Sequence, residues 1–149
     1  MKHLLMSATL LLSSIAFAED TEKKIKLKDM PAAVQAAVKE HSKGATIKGL
    51  AKEVENGKTM YEVELKTAAG TSKDLILDSD GKVISVEEQT TLAAIPAAAR
   101  AAIEKAVGNG KISIVETVTT KGTTFYEAQY KAAGKTAEIK VDAAGKPVN

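Results

Sequence analysis

The chain has 149 residues, of which 44% are hydrophobic and 27% are charged, as is typical of a globular protein. The formal net charge of +2 is too small to indicate a nucleic-acid-binding surface. There is no cysteine, which excludes disulfides, thiolate metal ligands and cysteine nucleophiles. Because neither a nucleophile elbow nor a phosphate-binding glycine loop is present, we predict a protein that is not an enzyme and has no cofactor.

Residues 1–18 have the features of a secretory signal peptide. A short basic start is followed by an apolar run over residues 4–15, and the small-x-small sequence Ala16-Phe17-Ala18 provides a cleavage site. The apolar run is shorter than the roughly 20 residues that a membrane-spanning helix needs. The sequence therefore predicts a mature protein that is periplasmic or secreted and is not inserted in the membrane.

The rest of the chain is predicted to be one unit present twice, over residues 19–89 and 90–149. Three segments of the first unit recur in the same order in the second, and such self-similarity is typical of tandem repeats. The recurring segments are Met30-Pro31-Ala32-Ala33-Val34 with Ile95-Pro96-Ala97-Ala98-Ala99, Tyr61-Glu62 with Tyr126-Glu127, and Asp78-x-x-Gly81-Lys82 with Asp142-x-x-Gly145-Lys146.

Each unit is predicted to be one helix followed by a four-stranded antiparallel meander. The helices begin at Pro31 and Pro96, because proline is favoured in the first turn of a helix. The strands of the first unit are predicted over residues 46–55, 60–66, 73–78 and 82–87. The last strand of the second unit is expected to be short or absent, because Pro147 cannot donate to a sheet ladder. The predicted fold class is α+β, with each helix packed on its own four-stranded sheet.

Three of these motifs also carry a family resemblance. They are the proline-opened helix, the segment Gly57-x-x-x-Tyr61-Glu62, and the turn Leu75-x-Leu77-Asp78-x-x-Gly81-Lys82. In this combination the unit resembles the PepSY-like family of exported bacterial domains, which are also described as similar to β-lactamase-inhibitor protein. The resemblance covers nearly the whole predicted mature chain. It implies a helix-plus-sheet fold and a non-enzymatic role in binding or inhibition.

The sheet face turned away from the helix is the candidate binding surface. Side chains alternate along a strand, so Tyr61, Val63 and Leu65 face the predicted helix and the residues between them face outward. The candidate binding residues are Met60, Glu62, Glu64 and Lys66 in the first unit and Phe125, Glu127, Gln129 and Lys131 in the second. The expected function is an exported, non-enzymatic binding module of the cell envelope, either a peptide- or protein-binding protein or a hydrolase-inhibitor-like protein. An ordinary solvated face with cross-strand charge pairs is the other interpretation of these residues.

A small-ligand or cation-binding protein is the alternative function. The turn Asp78-Ser79-Asp80-Gly81 resembles the start of a calcium loop, but no glutamate follows at the required spacing. Its counterpart, Asp142-Ala143-Ala144-Gly145, keeps only the first acid and the glycine, which is typical of a tight turn. We therefore predict no metal site. His41, at the end of the first helix, is expected to be a capping or surface residue.

Overall fold

The computed structural model describes residues 21–55 and 57–148. The predicted signal peptide lies outside the described residues, as does Asn56 in the turn between the first two predicted strands. None of the described helices is both long and apolar enough to cross a membrane.

The described chain forms a single antiparallel sheet with two α-helices. The strands are β1 (Thr21–Lys24), β2 (Thr46–Glu55), β3 (Lys58–Lys66), β4 (Ser72–Asp78), β5 (Val83–Thr90), β6 (Lys111–Thr120), β7 (Thr123–Ala132) and β8 (Lys135–Val141). The helices are α1 (Ala32–His41) and α2 (Ala97–Val107), each preceded by a short 3-10 turn, Leu27–Asp29 and Leu92–Ala94 respectively. The order of the eight strands in the sheet is their order in the chain.

The predicted fold of two units, each with one helix on its own four-stranded sheet, is wrong. Strand β5 pairs with β6 from Ser85 opposite Thr120 to Thr90 opposite Val115, so one sheet of eight strands runs through the described chain. The physical reason is that a strand at a sheet edge has unpaired backbone N–H and C=O groups, and pairing β5 with β6 satisfies both edges. A further strand, β1, was not predicted, and the segment at Pro147 contributes only an isolated bridge to Val141.

Both helices pack on the same face of this sheet. Helix α1 buries Val34, Ala37 and Val38 against β3 and β4, and helix α2 buries Ala99, Ile103 and Val107 against the other half of the sheet. The first core also contains Tyr61, Val63, Leu65, Leu75 and Leu77, and the second contains Val115, Ala128 and Val141. The helix-facing alternation predicted for residues 60–66 is therefore confirmed. The opposite face of the sheet, here called the open face, has no described helix on it.

The two aspartate turns anchor the sheet to the helices. Asp78 Oδ1 accepts hydrogen bonds from the backbone N–H groups of Asp80 (3.0 Å) and Lys82 (2.9 Å). Gly81 has a φ of 79°. A β-carbon at Gly81 would lie 2.6 Å from the Ala33 carbonyl oxygen at the start of α1. Only glycine fits this approach of turn to helix, which explains the spacing of aspartate and glycine.

The second turn repeats this geometry. Asp142 Oδ1 accepts hydrogen bonds from the N–H groups of Ala144 and Lys146, both at 2.9 Å. A β-carbon at Gly145 would lie 2.6 Å from the Ala98 carbonyl oxygen. Both aspartates thus use their carboxylates to hold backbone turns, as the turn interpretation predicts.

Candidate functional site

The open face carries a band of acidic side chains across most of the sheet. Its members follow from strand register, because residues paired across neighbouring strands point to the same side. One row runs from Glu64 through Asp74 to Glu87, and another joins Glu116 to Glu127 and Lys140. The carboxylates of the open face are Glu22, Glu53, Glu62, Glu64, Asp74, Glu87, Glu116, Glu127 and Glu138.

The residues predicted from the sequence lie on the open face in two separated rows. Met60, Glu62, Glu64 and Lys66 lie on β3, and Phe125, Glu127, Gln129 and Lys131 lie on β7. Strands β4, β5 and β6 lie between them, so the rows are about 19 Å apart at the usual strand spacing. The structure therefore places both rows on one face without bringing them into contact.

The exposure of these predicted residues varies. Lys66 and Lys131 are exposed at the ends of their strands, and Met60 and Phe125 are half-buried. Glu127 is only 6% exposed. Glu64 is exposed, and its carboxylate lies over Gly49 on β2. A β-carbon at position 49 would come too close to the Glu64 carboxylate in this position.

The centre of the open face is formed by residues that the sequence reasoning missed. Glu116 is 2% exposed, although no described helix covers this side of the sheet. Val118, on the same side of β6, is also 2% exposed and pairs with Phe125. The repeat that aligns Tyr61 with Tyr126 places Glu116 at the position of Ala51 in the first unit, so the repeat gives no signal for an acid there. The strand alternation of β6 was the signal that could have found it.

Glu116 has an incompletely satisfied carboxylate. Within the part of the chain that the structure describes, its Oε2 atom is buried and has no hydrogen-bond partner. Burial is the main reason that the pKa of Glu116 rises from 4.5 to about 7, and repulsion from Glu87, Asp74 and Glu138 adds to the rise. A buried polar atom without a partner costs free energy, so this position is unfavourable in the isolated protein.

A small ion-pair cluster lies beside Glu116. The Lys140 amino group is 3.1 Å from Glu127 Oε2 and 3.2 Å from Glu138 Oε1. The same amino group lies 5.9 Å from the centre of the Phe125 ring, within the range of a cation–π contact. Lys140 is thus already engaged by two carboxylates and an aromatic ring.

Four further carboxylates of the open face, those of Glu62, Asp74, Glu87 and Glu127, have raised pKa values. Burial raises the pKa of Glu62 to about 8, with repulsion from Glu53 and Asp74 adding to it. Burial and the neighbouring Glu64 and Glu87 raise the pKa of Asp74 to about 6. Burial likewise raises the pKa of Glu87 and, with the contact to Glu138, that of Glu127. Crowding and partial burial of like charges explain the whole pattern.

The other predicted chemistry gains no geometric support. Among the described residues, no group of three or more histidine or acidic side chains has a geometry that could hold a metal ion. His41 is the last residue of α1 and is exposed. A groove of about 570 Å³ lies on another part of the molecule, at the β4–β5 turn and strands β5 and β6, with Val86, Thr119 and the exposed Lys82 and Lys121 in its lining.

These features define a protein with two helices on one side of a single antiparallel sheet and, on the other side, an acidic face without a described helix. Solved structures of other bacterial proteins share this fold. A BLIP-like protein of Bacteroides fragilis is 18% identical, with a TM-score of 0.58 over 80% of this chain and 84% of that chain. A DUF2874 family protein of Bacteroides uniformis is 19% identical, with a TM-score of 0.63 over 80% of this chain and 86% of the other.

A third similar structure is that of a Bacteroides eggerthii protein named as a candidate periplasmic protein. It is 18% identical, with a TM-score of 0.66 over 80% of this chain and 86% of that chain. The sequence matches no protein-family model and no curated protein. The likeness is therefore one of fold, and the PepSY-like assignment and the tandem repeat stay predictions.

Proposed function

We propose that the protein is an exported, non-enzymatic binding module whose open face binds a protein or peptide of the cell envelope. The observation that carries this proposal is the burial of Glu116 and Glu127 on a sheet face without a described helix. On a sheet face that contacts only solvent, charged side chains are most stable when they are exposed to water or fully paired. Crowded carboxylates with raised pKa values are instead typical of functional surfaces.

The composition of the open face supports binding rather than catalysis. Half-buried apolar residues, Met60 and Phe125, lie among the charges, and such mixtures are common in protein interfaces. The acidic band described above contains no pair of a serine nucleophile and a histidine base. The similar structures include a BLIP-like protein, whose name refers to an inhibitor, and a candidate periplasmic protein, which agrees with an exported binding role.

Capture from envelope extract of the source organism tests the proposal. The immobilised protein, beginning at Glu19, is compared with the double variant Met60→Lys, Phe125→Lys, which places charges at both apolar positions of the open face. The matched control is Ala36→Lys, Ala101→Lys, which places the same charges at exposed positions of the two helices. We expect the first variant to lose the captured partner and the control to retain it.

Folding of both variants is checked by circular dichroism and thermal melting. If the Met60→Lys, Phe125→Lys variant does not fold, reversal of the exposed rim lysines in Lys66→Glu, Lys131→Glu replaces it. Equal capture by the native protein, by folded open-face variants and by the helix control would refute the proposal.

A further inference from the structure

We propose that Glu116 is the anchor for a cationic side chain, an arginine or a lysine, of a peptide segment bound on the open face. This inference rests on the proposed function and assigns its partner to a chemical class. The bound segment is basic, and its cationic group replaces the missing hydrogen-bond donor at Glu116.

The first support is the unpartnered carboxylate itself. Glu116 is 2% exposed, and its Oε2 atom has no hydrogen-bond partner within the described chain. A carboxylate in this state is stabilised most by a charged donor, and the planar arginine fork matches its two oxygens. Lys140 does not supply this donor, because its amino group is bonded to Glu127 and Glu138 and makes no hydrogen bond to Glu116 Oε2.

The second support is charge complementarity around the anchor. The charged groups that face Glu116 from the neighbouring strands are Asp74 on β4, Glu87 on β5, Glu127 on β7, and Glu138 and Lys140 on β8. Four of these five are acids, so an arriving cation lowers the repulsion among them. An anionic or neutral peptide gains nothing from this arrangement.

The third support is the half-buried Phe125 ring near the anchor. Phe125 lies on β7 opposite the buried Val118, which is two residues along β6 from Glu116 and on the same side of the sheet. The methylene stem of an arginine or lysine can pack on an aromatic ring while its charged end reaches a carboxylate. Phe125 already lies near one ammonium group, that of Lys140, which shows that its ring is compatible with a cation.

Binding of a cation at Glu116 is linked to protons. Burial and the neighbouring acids raise the pKa of the free Glu116 to about 7, and a bound cation favours its ionised form. Binding near neutral pH therefore releases a proton. Because only about a tenth of Glu116 is ionised at about pH 6, the affinity is expected to be roughly tenfold lower there than at about pH 8.

Calorimetric titration with a defined probe tests the inference. The probe is a capped peptide of alternating arginine and serine, and its control is the same peptide with citrulline, a neutral isostere, in place of arginine. The protein variants are Glu116→Gln and, as a matched control, Glu104→Gln at an exposed position of α2. Titrations in buffers of different ionisation enthalpy measure the released proton.

We expect the arginine peptide to bind and the citrulline peptide not to bind. Glu116→Gln should weaken binding about tenfold to a hundredfold and reduce the proton release, while Glu104→Gln changes neither. Unchanged affinity in Glu116→Gln, or no binding of the arginine peptide, would overturn the inference. Equal binding of spermidine with the same dependence on Glu116 would also overturn it, because the occupant would then be a small polycation.

The two proposals fail separately. If envelope capture depends on Met60 and Phe125 but the arginine peptide does not bind, only the basic-peptide inference is refuted. If capture is insensitive to every folded open-face variant, the binding function of the face is refuted, and the basic-peptide inference is refuted together with that function.

Discussion

Ionisation of Glu116 should destabilise the fold, and Glu116→Gln should remove this cost. The pKa of Glu116 rises from 4.5 to about 7 on folding, so the folded state binds more protons than the unfolded state between these values. Stability linked to Glu116 is therefore fully present below about pH 4.5 and is lost as the pH rises through 7. Each pKa unit corresponds to about 1.4 kcal/mol, which gives about 3 kcal/mol in total.

Most of this loss falls between about pH 5 and pH 8, where Glu116 accounts for roughly 2–3 kcal/mol of the free energy of unfolding. Glutamine has nearly the same shape as glutamate but does not ionise. Glu116→Gln should therefore lose roughly 2–3 kcal/mol less than the native protein over this range.

Urea unfolding at the two pH values measures the effect. With the slopes usual for small proteins, a difference of this size shifts the midpoint by about 1–2 M urea. Glu104→Gln, at an exposed position of α2, should follow the native protein at both pH values. The reasoning is refuted if the native protein and Glu116→Gln lose the same stability between pH 5 and pH 8.

Three further predictions concern the cores and the turns. Tyr61→Ala should lower the free energy of unfolding by about 3 kcal/mol or more in urea titrations, because the 6%-exposed ring belongs to the first core; a loss below about 1 kcal/mol would contradict this packing. Gly81→Ala should cost more than about 1 kcal/mol by the same measurement, because the added β-carbon would meet the Ala33 carbonyl. Gly57→Ala is the control, because Gly57 also has a positive φ but no close neighbour. Equal losses in the two variants would refute the close approach of this turn to α1. Millimolar calcium should leave the melting temperature unchanged, because Asp78 and Asp142 use their carboxylates in the turns; a rise with calcium concentration would restore the cation-binding alternative.

Local features of the fold were predictable because their signals are in nearby residues. The alternation of Tyr61, Val63 and Leu65 identifies the buried side of β3, and all three lie in the first core. Pro31 lies directly before α1, where proline is compatible with the first helical turn. The aspartate and glycine of each turn are three residues apart, and the hydrogen bonds of Asp78 explain this spacing.

The joining of the two halves was not predictable from the same signals. Strands β5 and β6 pair through the backbone ladder of the sheet, and this hydrogen-bond pattern is similar for any pair of antiparallel strands. Ser85 and Thr120 do bond to each other across this junction at 2.7 Å, but neither residue type is specific to such a position. Side-chain patterns identify which side of a strand is buried. They do not identify its neighbour.

Glu116 was missed for a related reason. A glutamate in a strand is normally assigned to a solvated face, and the flanking Val115 does face the core as this rule requires. The charges that act on Glu116 come from residues far apart in sequence, since Asp74, Glu87 and Lys140 lie on three other strands. Only the sheet order brings these charges together.

The distribution of stability over the two sides of the sheet supports a binding role for the open face. On the helix side, Leu75, Leu77 and Ile103 are almost completely buried in apolar cores, which supply the main driving force for folding. On the open side, the crowded carboxylates oppose folding at neutral pH. Replacing Glu116 with an uncharged residue would remove part of this cost, so its presence is better explained by a bound cation than by stability.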